Sequence, residues 1–252
     1  MRVVAIIQAR MGSTRLPGKV LMPLSGVPVL EHVVQRVRAC ATVDEVVVAT
    51  SSDNSDDVLA DWCSKHEVKF FRGSLTDVLD RYYQCAKWSL ADAVVRITAD
   101  CPAVDPVVVD EVVSGFLASQ YDLFYLGGEF PDGLDCAVFS KGALERAWSE
   151  ATLPSEREHV GPYVTNHPEL FKIGQLIKFH GMSHYRWTLD EPQDFIFLQE
   201  IFSRLNANGN HIFHIDDVLQ LLRREPTLLE INNGIVRNEG LLKSVAADDE
   251  MK

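Results

Sequence analysis

Between residues 8 and 19 the chain reads QARMGSTRLPGK, which crowds Arg10, Arg15 and Lys19 with two hydroxyls, two glycines and a proline behind a run of apolar β-branched residues. A glycine-rich loop after a strand can aim several backbone N–H groups at one anion, and a helix that follows adds the positive end of its dipole. Three side-chain cations would offset most of the roughly four negative charges of a nucleoside triphosphate, the guanidiniums by two-point contact. Pro17 restricts the backbone, while Gly12 and Gly18 permit close approach, which points to a preformed cradle. Neither standard phosphate motif fits. Gly12 and Gly18 are separated by five residues where a Walker loop needs four, Val20 follows Lys19 where that loop needs a hydroxyl, and G-x-G-x-x-G is absent.

A triphosphate normally travels with Mg²⁺, which takes one or two protein carboxylates and fills its other positions with phosphate oxygens and water. Asp100 follows the predicted strand 93–98 at the end where open α/β sheets place ligands, so it is the first candidate ligand. Asp190, in WTLDEP, also stands at the end of a predicted strand with a proline two residues on, and is the second. Alternation along the strand puts Arg96, Thr98 and Asp100 on one side. Thr50 and Ser51 end the strand VVVAT with hydroxyls that could bond a pyrimidine or ribose, or simply form a polar loop. In GSLTDVLDR, Ser74 and Asp77 could touch the nucleoside, and Asp77 is spaced to pair with Arg81 across a helix face. His180 and His184 lack the glutamate of H-E-x-x-H, and His211 and His214 flank a phenylalanine, so all four read as structural.

The elements that must carry these groups alternate. VVAIIQ (3–8), VVVAT (46–50), VKFF (68–71) and AVVRIT (93–98) are near-continuous Val/Ile runs. Between them lie the amphipathic stretches 29–40, 56–65 and 76–88. This is the pattern of a parallel sheet covered on both faces. A helix over 105–119, a strand over 121–126 and a strand into KGALERAW follow. Residues 154–192 break the rhythm with the polar helix SEREHVGPYVTNH and the strand candidates FKIGQLIKF and HYRWTL. Two helices, PQDFIFLQEIFSRLN and HIDDVLQLLRREP, close the series, the first before the turn signal NANGN. The fold class is α/β: a mostly parallel central sheet flanked by helices, one domain over 1–252, with 154–192 as a small β/α excursion.

The totals narrow the function. With 252 residues, a net charge of −12, 46% hydrophobic and 24% charged residues, the chain has globular composition and would be repelled on average by nucleic acid or an anionic membrane. No apolar run approaches the roughly 20 residues that cross a bilayer, and the first strand begins at once, so a cytoplasmic protein is expected. Five scattered cysteines without C-x-x-C suggest neither disulfides nor structural zinc. Cys101 draws notice for its neighbours.

ARMGSTRLPGK resembles the N-terminal signature of the cytidylyltransferases that activate sugar acids, CMP-sialate and CMP-Kdo synthetase-like enzymes, and is most similar to their SpsF-type branch in spore-coat polysaccharide synthesis. The resemblance continues through GSLTDVLDRYY (73–83), VRITADCPAVDP (95–106), PDGLDCAVFSKGALERAW (131–148), SEREHVGPYV (155–164), RWTLDEPQDF (186–195) and INNGIVRNEG (231–240). It implies a nucleotide-diphospho-sugar transferase-like, Rossmann-like fold, CTP as donor and Mg²⁺ as cofactor. The acceptor would be a sugar acid or a phosphorylated small molecule, and the assembly a homodimer. The acceptor's oxygen would attack the α-phosphorus of CTP and pyrophosphate would leave. Arg10, Arg15, Lys19 and Asp100 would be catalytic; Ala9, Gly12, Ser13, Thr50, Ser51, Ser74, Asp77 and Thr98 would join the nucleotide site; Asp100 and Asp190 would hold the metal. Asp135, Arg157 and His159 would approach the acceptor. Ala137 stands where relatives often carry glutamate, and Gly161 where they usually carry threonine. Two other readings stay open: a nucleotide-sugar-dependent glycosyltransferase, although the ADC at 99–101 supplies no D-x-D, and a nucleotide-binding protein that has lost its chemistry.

Overall fold

Val3 to Ile7 are all buried, and their alternation sorts them into two cores, Val3, Ala5 and Ile7 to one face of the sheet and Val4 and Ile6 to the other. This strand lies at the centre of a computed structural model that describes residues 1–206 and 212–249. The NANGN turn beyond Asn206, and His211, lie outside the described residues.

In chain order, β1 (Val3–Gln8) runs through the basic loop into one tight helical turn (Lys19–Leu21) and a small hairpin, β2 (Pro23–Leu24) and β3 (Val27–Pro28). Then come α1 (Val29–Arg38), β4 (Glu45–Ser51), α2 (Asp57–Lys65), β5 (Lys69–Gly73), α3 (Val78–Trp88), β6 (Ala93–Thr98) and α4 (Pro106–Ser119). The second half holds β7 (Leu123–Gly127), β8 (Ala137–Ser140), α5 (Lys141–Glu150), α6 (Pro154–His159), α7 (Pro162–Asn166) and β9 (Ile173–Ile177). It closes with α8 (Pro192–Leu205), α9 (Ile215–Arg224) and α10 (Glu239–Asp249). Short polar caps start α3, α4 and α5. Asp77 accepts from the Asp80 N–H, Asp105 from that of Val107 with Pro106 in the first turn, and Ser140 from that of Ala143.

The main sheet has seven strands in the order β5-β4-β1-β6-β8-β7-β9, and only β8 runs against its neighbours. The mostly parallel α/β architecture expected from the sequence is therefore the fold. The chain winds outward from β1 to β4 and β5, then returns to place β6 on the other side of β1, with Gln8 opposite Thr98. Such a reversal opens a crevice at the carboxyl ends of the two strands.

Four local expectations need correction. The basic loop feeds a single tight helical turn, Lys19–Leu21, and no longer helix: Pro23 and Pro28 pair in the small hairpin that follows, and α1 starts only at Val29. Residues 154–192 divide, with α6 and α7 outside the sheet while β9 pairs in parallel with β7 at its edge. The polar helix breaks at Val160, whose φ of 69° no helix tolerates, just before Pro162. HYRWTL forms no strand. Its single bridge, Asp132 to Arg186, is kept beside the sheet by the Trp187 N–H, which donates to the Asp132 carbonyl at 2.6 Å. α10 went unforeseen.

Candidate active site

The crevice is a cavity of about 500 Å³, and its wall includes Arg10, Gly12, Ser13, Arg15, Lys19 and Thr98, together with Asp100, Asp135, His159 and Asp190. Lys19 organises it. Its Nζ donates to Asp100 Oδ2 at 2.7 Å, to Asp190 Oδ1 at 2.8 Å and to the Leu189 carbonyl at 2.7 Å. The Leu189 N–H in turn donates to the Asp100 carbonyl at 2.8 Å, which fastens the segment after β9 to the end of β6. Burial opposes charge on Lys19, but Asp100 and Asp190 outweigh it and hold the ammonium above its ordinary range. Burial likewise works against the Asp100 carboxylate, yet Lys19 prevails and brings it down to about 2.

Arg15 is also paired with acids, Asp190 and Glu191 at 3.2 Å and Glu239 at 2.9 Å. Arg10 is freer, with Glu158 at 3.9 Å. Behind Asp190, the buried Arg186 binds Asp132 and Asp194 at 2.9 Å and Asp190 at 3.4 Å. Asp194 also accepts the N–H groups of Asp190 and Glu191 and so fixes the start of α8. Asn232, in the INNG stretch, donates to Asp194 and to the Arg186 carbonyl at 3.0 Å.

The loop is held open by a residue that attracted no notice in the sequence. Asp56, wholly buried, accepts from the Met11 N–H at 2.7 Å and from the Ser51 hydroxyl at 2.5 Å. The N–H groups of Ser13 and Gly18 both turn back to the Met11 carbonyl, so these two amides are spent within the loop.

Six predicted site residues stand off the cavity wall. Ala9 is buried and its N–H is spent on the Ala49 carbonyl. Thr50 is fully buried, and Ser51 is engaged by Asp56. Ser74 accepts from the Asp77 N–H at 3.0 Å. Asp77 caps α3 and pairs with Arg157, whose remaining nitrogen donates to the Trp148 carbonyl at 2.7 Å; the Asp77–Arg81 ion pair expected from helix spacing is not made. Arg157 is thus a strut between α3 and α6. His214 bonds Asp105 at 3.0 Å, and among the described residues no group of three metal-binding side chains occurs. Cys101 lines the cavity, but burial, together with Asp100 and Asp135, pushes its thiol well above its ordinary range and so disfavours the thiolate.

Sequence reasoning missed several wall residues: Gln8, Glu158, and the Glu239, Lys243 and Ser244 of α10. The stretch INNGIVRNEG was visible as a motif, but its helix is amphipathic only weakly, and nothing local says that it folds back over the basic loop.

The donor set suits a divalent cation supplied with a polyphosphate. Asp100 and Asp190 converge on one point, which an ammonium reaches from both. Across the whole wall, five cations (Arg10, Arg15, Lys19, Arg96, Lys243) face six carboxylates (Asp100, Asp132, Asp135, Glu158, Asp190, Glu239), so a triphosphate without a counterion would meet no net attraction. Two carboxylates suffice where phosphate oxygens and water complete the shell.

A parallel-sheet crevice with a basic loop on one lip and two carboxylates on the other defines a nucleotidyltransferase site. Comparison with known proteins gives the family. A family model described as cytidylyltransferase matches residues 4–216. The spore coat polysaccharide biosynthesis protein SpsF of Bacillus subtilis is 33% identical over 232 residues, covering 89% of this chain and 95% of that one. The 3-deoxy-manno-octulosonate cytidylyltransferase of Trichlorobacter lovleyi is 32% identical over 235 residues, covering 84% and 88%. A solved cytidylyltransferase from Leptospira borgpetersenii superposes with a TM-score of 0.86 at 34% identity, over 94% of this chain and all of that one. The chain belongs to the cytidylyltransferase family and is a nucleotidyltransferase. No helix among the described residues is long and apolar enough to cross a membrane.

Proposed function

We propose that the protein transfers CMP from CTP to a sugar acid, with Mg²⁺ held by Asp100 and Asp190 and release of pyrophosphate, in the synthesis of a surface polysaccharide. The observation that carries this reading is the bridge of Lys19 between Asp100 and Asp190 in the same cavity as Arg10 and Arg15. Relatives named for spore-coat polysaccharide synthesis and for octulosonate cytidylyl transfer support the pathway and the acceptor class.

Arg10, Arg15 and Lys19 would grip the triphosphate and stabilise charge on the departing pyrophosphate. A hydroxyl of the acceptor attacks the α-phosphorus, the bond to the pyrophosphate oxygen breaks, and the hydroxyl proton is released toward solvent. A bound Mg²⁺ would supply charge neutralisation across the phosphate oxygens. Positioning and electrostatics carry the catalysis, and no side-chain nucleophile is required. The test is incubation with CTP, Mg²⁺ and a panel of sugar acids and sugar phosphates, with mass-spectrometric detection of products. A CMP conjugate with pyrophosphate supports the reading. Free nucleoside diphosphate would point to glycosyl transfer, and CTP binding without turnover of any acceptor to a protein that has lost the chemistry.

A further inference from the structure

Among the described residues Arg96 has no anionic partner. It stands on β6 where the central cavity meets a smaller recess of about 170 Å³, and it lines both. Among the described residues its side chain makes no ion pair or hydrogen bond, and its Nε is buried without an acceptor. A guanidinium so placed costs stability unless an anion reaches it.

The sheet register explains the missing partner. Arg96 lies directly opposite Ala137 in the antiparallel pairing of β6 with β8, and Ala137 lies opposite Tyr125 on β7. Directly opposed residues share a face with Cβ atoms about 5 Å apart, so whatever occupies position 137 is the cross-strand neighbour of the guanidinium. A methyl group offers it nothing. The carboxylate that the recess does contain, Asp135, accepts from the Gly133 N–H at 3.1 Å and faces Arg237 at 3.7 Å.

The rest of the recess is mainly apolar, walled by Leu126 and Phe139 among others, and it is roomy at Gly161. A Cβ added there would meet nothing nearer than the Phe139 ring at 3.8 Å. His159 lies between the two spaces. Burial first, and the nearby Arg96 and Arg10 in addition, hold its imidazole below the ordinary range, and it exchanges a hydrogen bond with Ser244 at 3.1 Å. With Asp135 facing Arg237, Arg96 is the cation of the recess left unpaired among the described residues, and it stands beside apolar space, a pairing that suits a singly charged carboxylate better than a phosphate dianion.

We infer that Arg96 anchors the carboxylate of the acceptor, and that the recess bounded by Ala137 and Gly161 receives a short uncharged arm, acyl or methyl, on the same molecule. The acceptor class is a sugar acid bearing such an arm. The inference rests on the cytidylyl-transfer reading above.

The experiment uses three probes without CTP present, followed by ligand-observed NMR: N-acetylneuraminate, its C1 carboxamide, and 3-deoxy-manno-octulosonate, a carboxylate with no acyl arm. Calorimetric CTP binding to the unaltered protein is measured beside them. N-acetylneuraminate should bind at least about tenfold more tightly than its carboxamide and roughly tenfold more tightly than the octulosonate. Ala137→Glu, which supplies Arg96 with an internal carboxylate, should abolish the first preference; Arg96→Gln should do the same by removing the charge. Gly161→Val should fill the recess and abolish only the second. Thermal unfolding confirms that each variant is folded. Equal binding of acid and carboxamide by the unaltered protein, or an unchanged ratio in both Ala137→Glu and Arg96→Gln, overturns the inference while CTP binding stands. Absence of CTP binding would instead remove the reading on which it rests.

Discussion

Lys19 and Asp100, 81 positions apart in the chain, meet at 2.7 Å, and the same nitrogen reaches Asp190 at 2.8 Å. One buried ammonium thus joins the basic loop to the ends of two other segments. It keeps two acidic side chains together that would otherwise repel, and it does so at the spot where a polyphosphate and its counterion would need them.

Replacing Lys19 by Met should therefore lower pyrophosphate release by about a hundredfold or more, the scale for losing one preorganised charged donor. Asp100→Asn should do the same. A turnover assay with either variant near the parent rate would remove both from the reaction.

Glu239 holds the Arg15 guanidinium at 2.9 Å from the unforeseen helix α10, so under the proposed function it would compete with the nucleotide for Arg15. Glu239→Gln should improve CTP affinity by about threefold, as expected for releasing a partly exposed ion pair. Arg15→Ala should weaken it and slow turnover by about a hundredfold. Calorimetry of CTP binding to both variants checks the opposite signs.

Asp132 sets a pH dependence of stability. Burial first, then the neighbouring Asp135, outweigh Arg237 and Arg186 and raise its carboxyl from 3.8 to about 6. Between those values the folded state keeps a proton that the unfolded chain has released, so this group makes stability fall as pH rises through the window. Thermal unfolding from pH 4 to 6 should show a shallower fall for Asp132→Asn than for the parent; identical slopes would contradict the assignment.

All five cysteines are buried and free. Burial is the main cause that pushes each thiol up, to about 12 for Cys40, Cys63 and Cys85 and well above the ordinary range for Cys101 and Cys136. A thiol reagent at neutral pH should label none of them in the native protein and all of them after denaturation. Cys101→Ser should retain turnover; its loss would restore Cys101 to the mechanism.

The sequence alone determined the strands and the helices between them, because Val/Ile runs and 3.6-residue spacing are local signals that burial on two faces of a sheet enforces. It also singled out Arg10, Arg15 and Lys19 by their density in one glycine-containing loop and Asp100 by its place after β6, all readable without a fold; Asp190 was singled out too, although the strand expected before it does not form. Only the tertiary structure decided which other polar residues join them. Arg157 and Asp77 are complementary charges from distant elements, and they bind each other before either can face the cavity. Thr50 and Ser51 point inward because their strand is buried on both faces. Strand alternation did place Arg96 beside Thr98 and Asp100, but Asp56 and α10 acquire their places from pairings dozens of residues away, and such long-range closure leaves no periodicity or spacing in the chain.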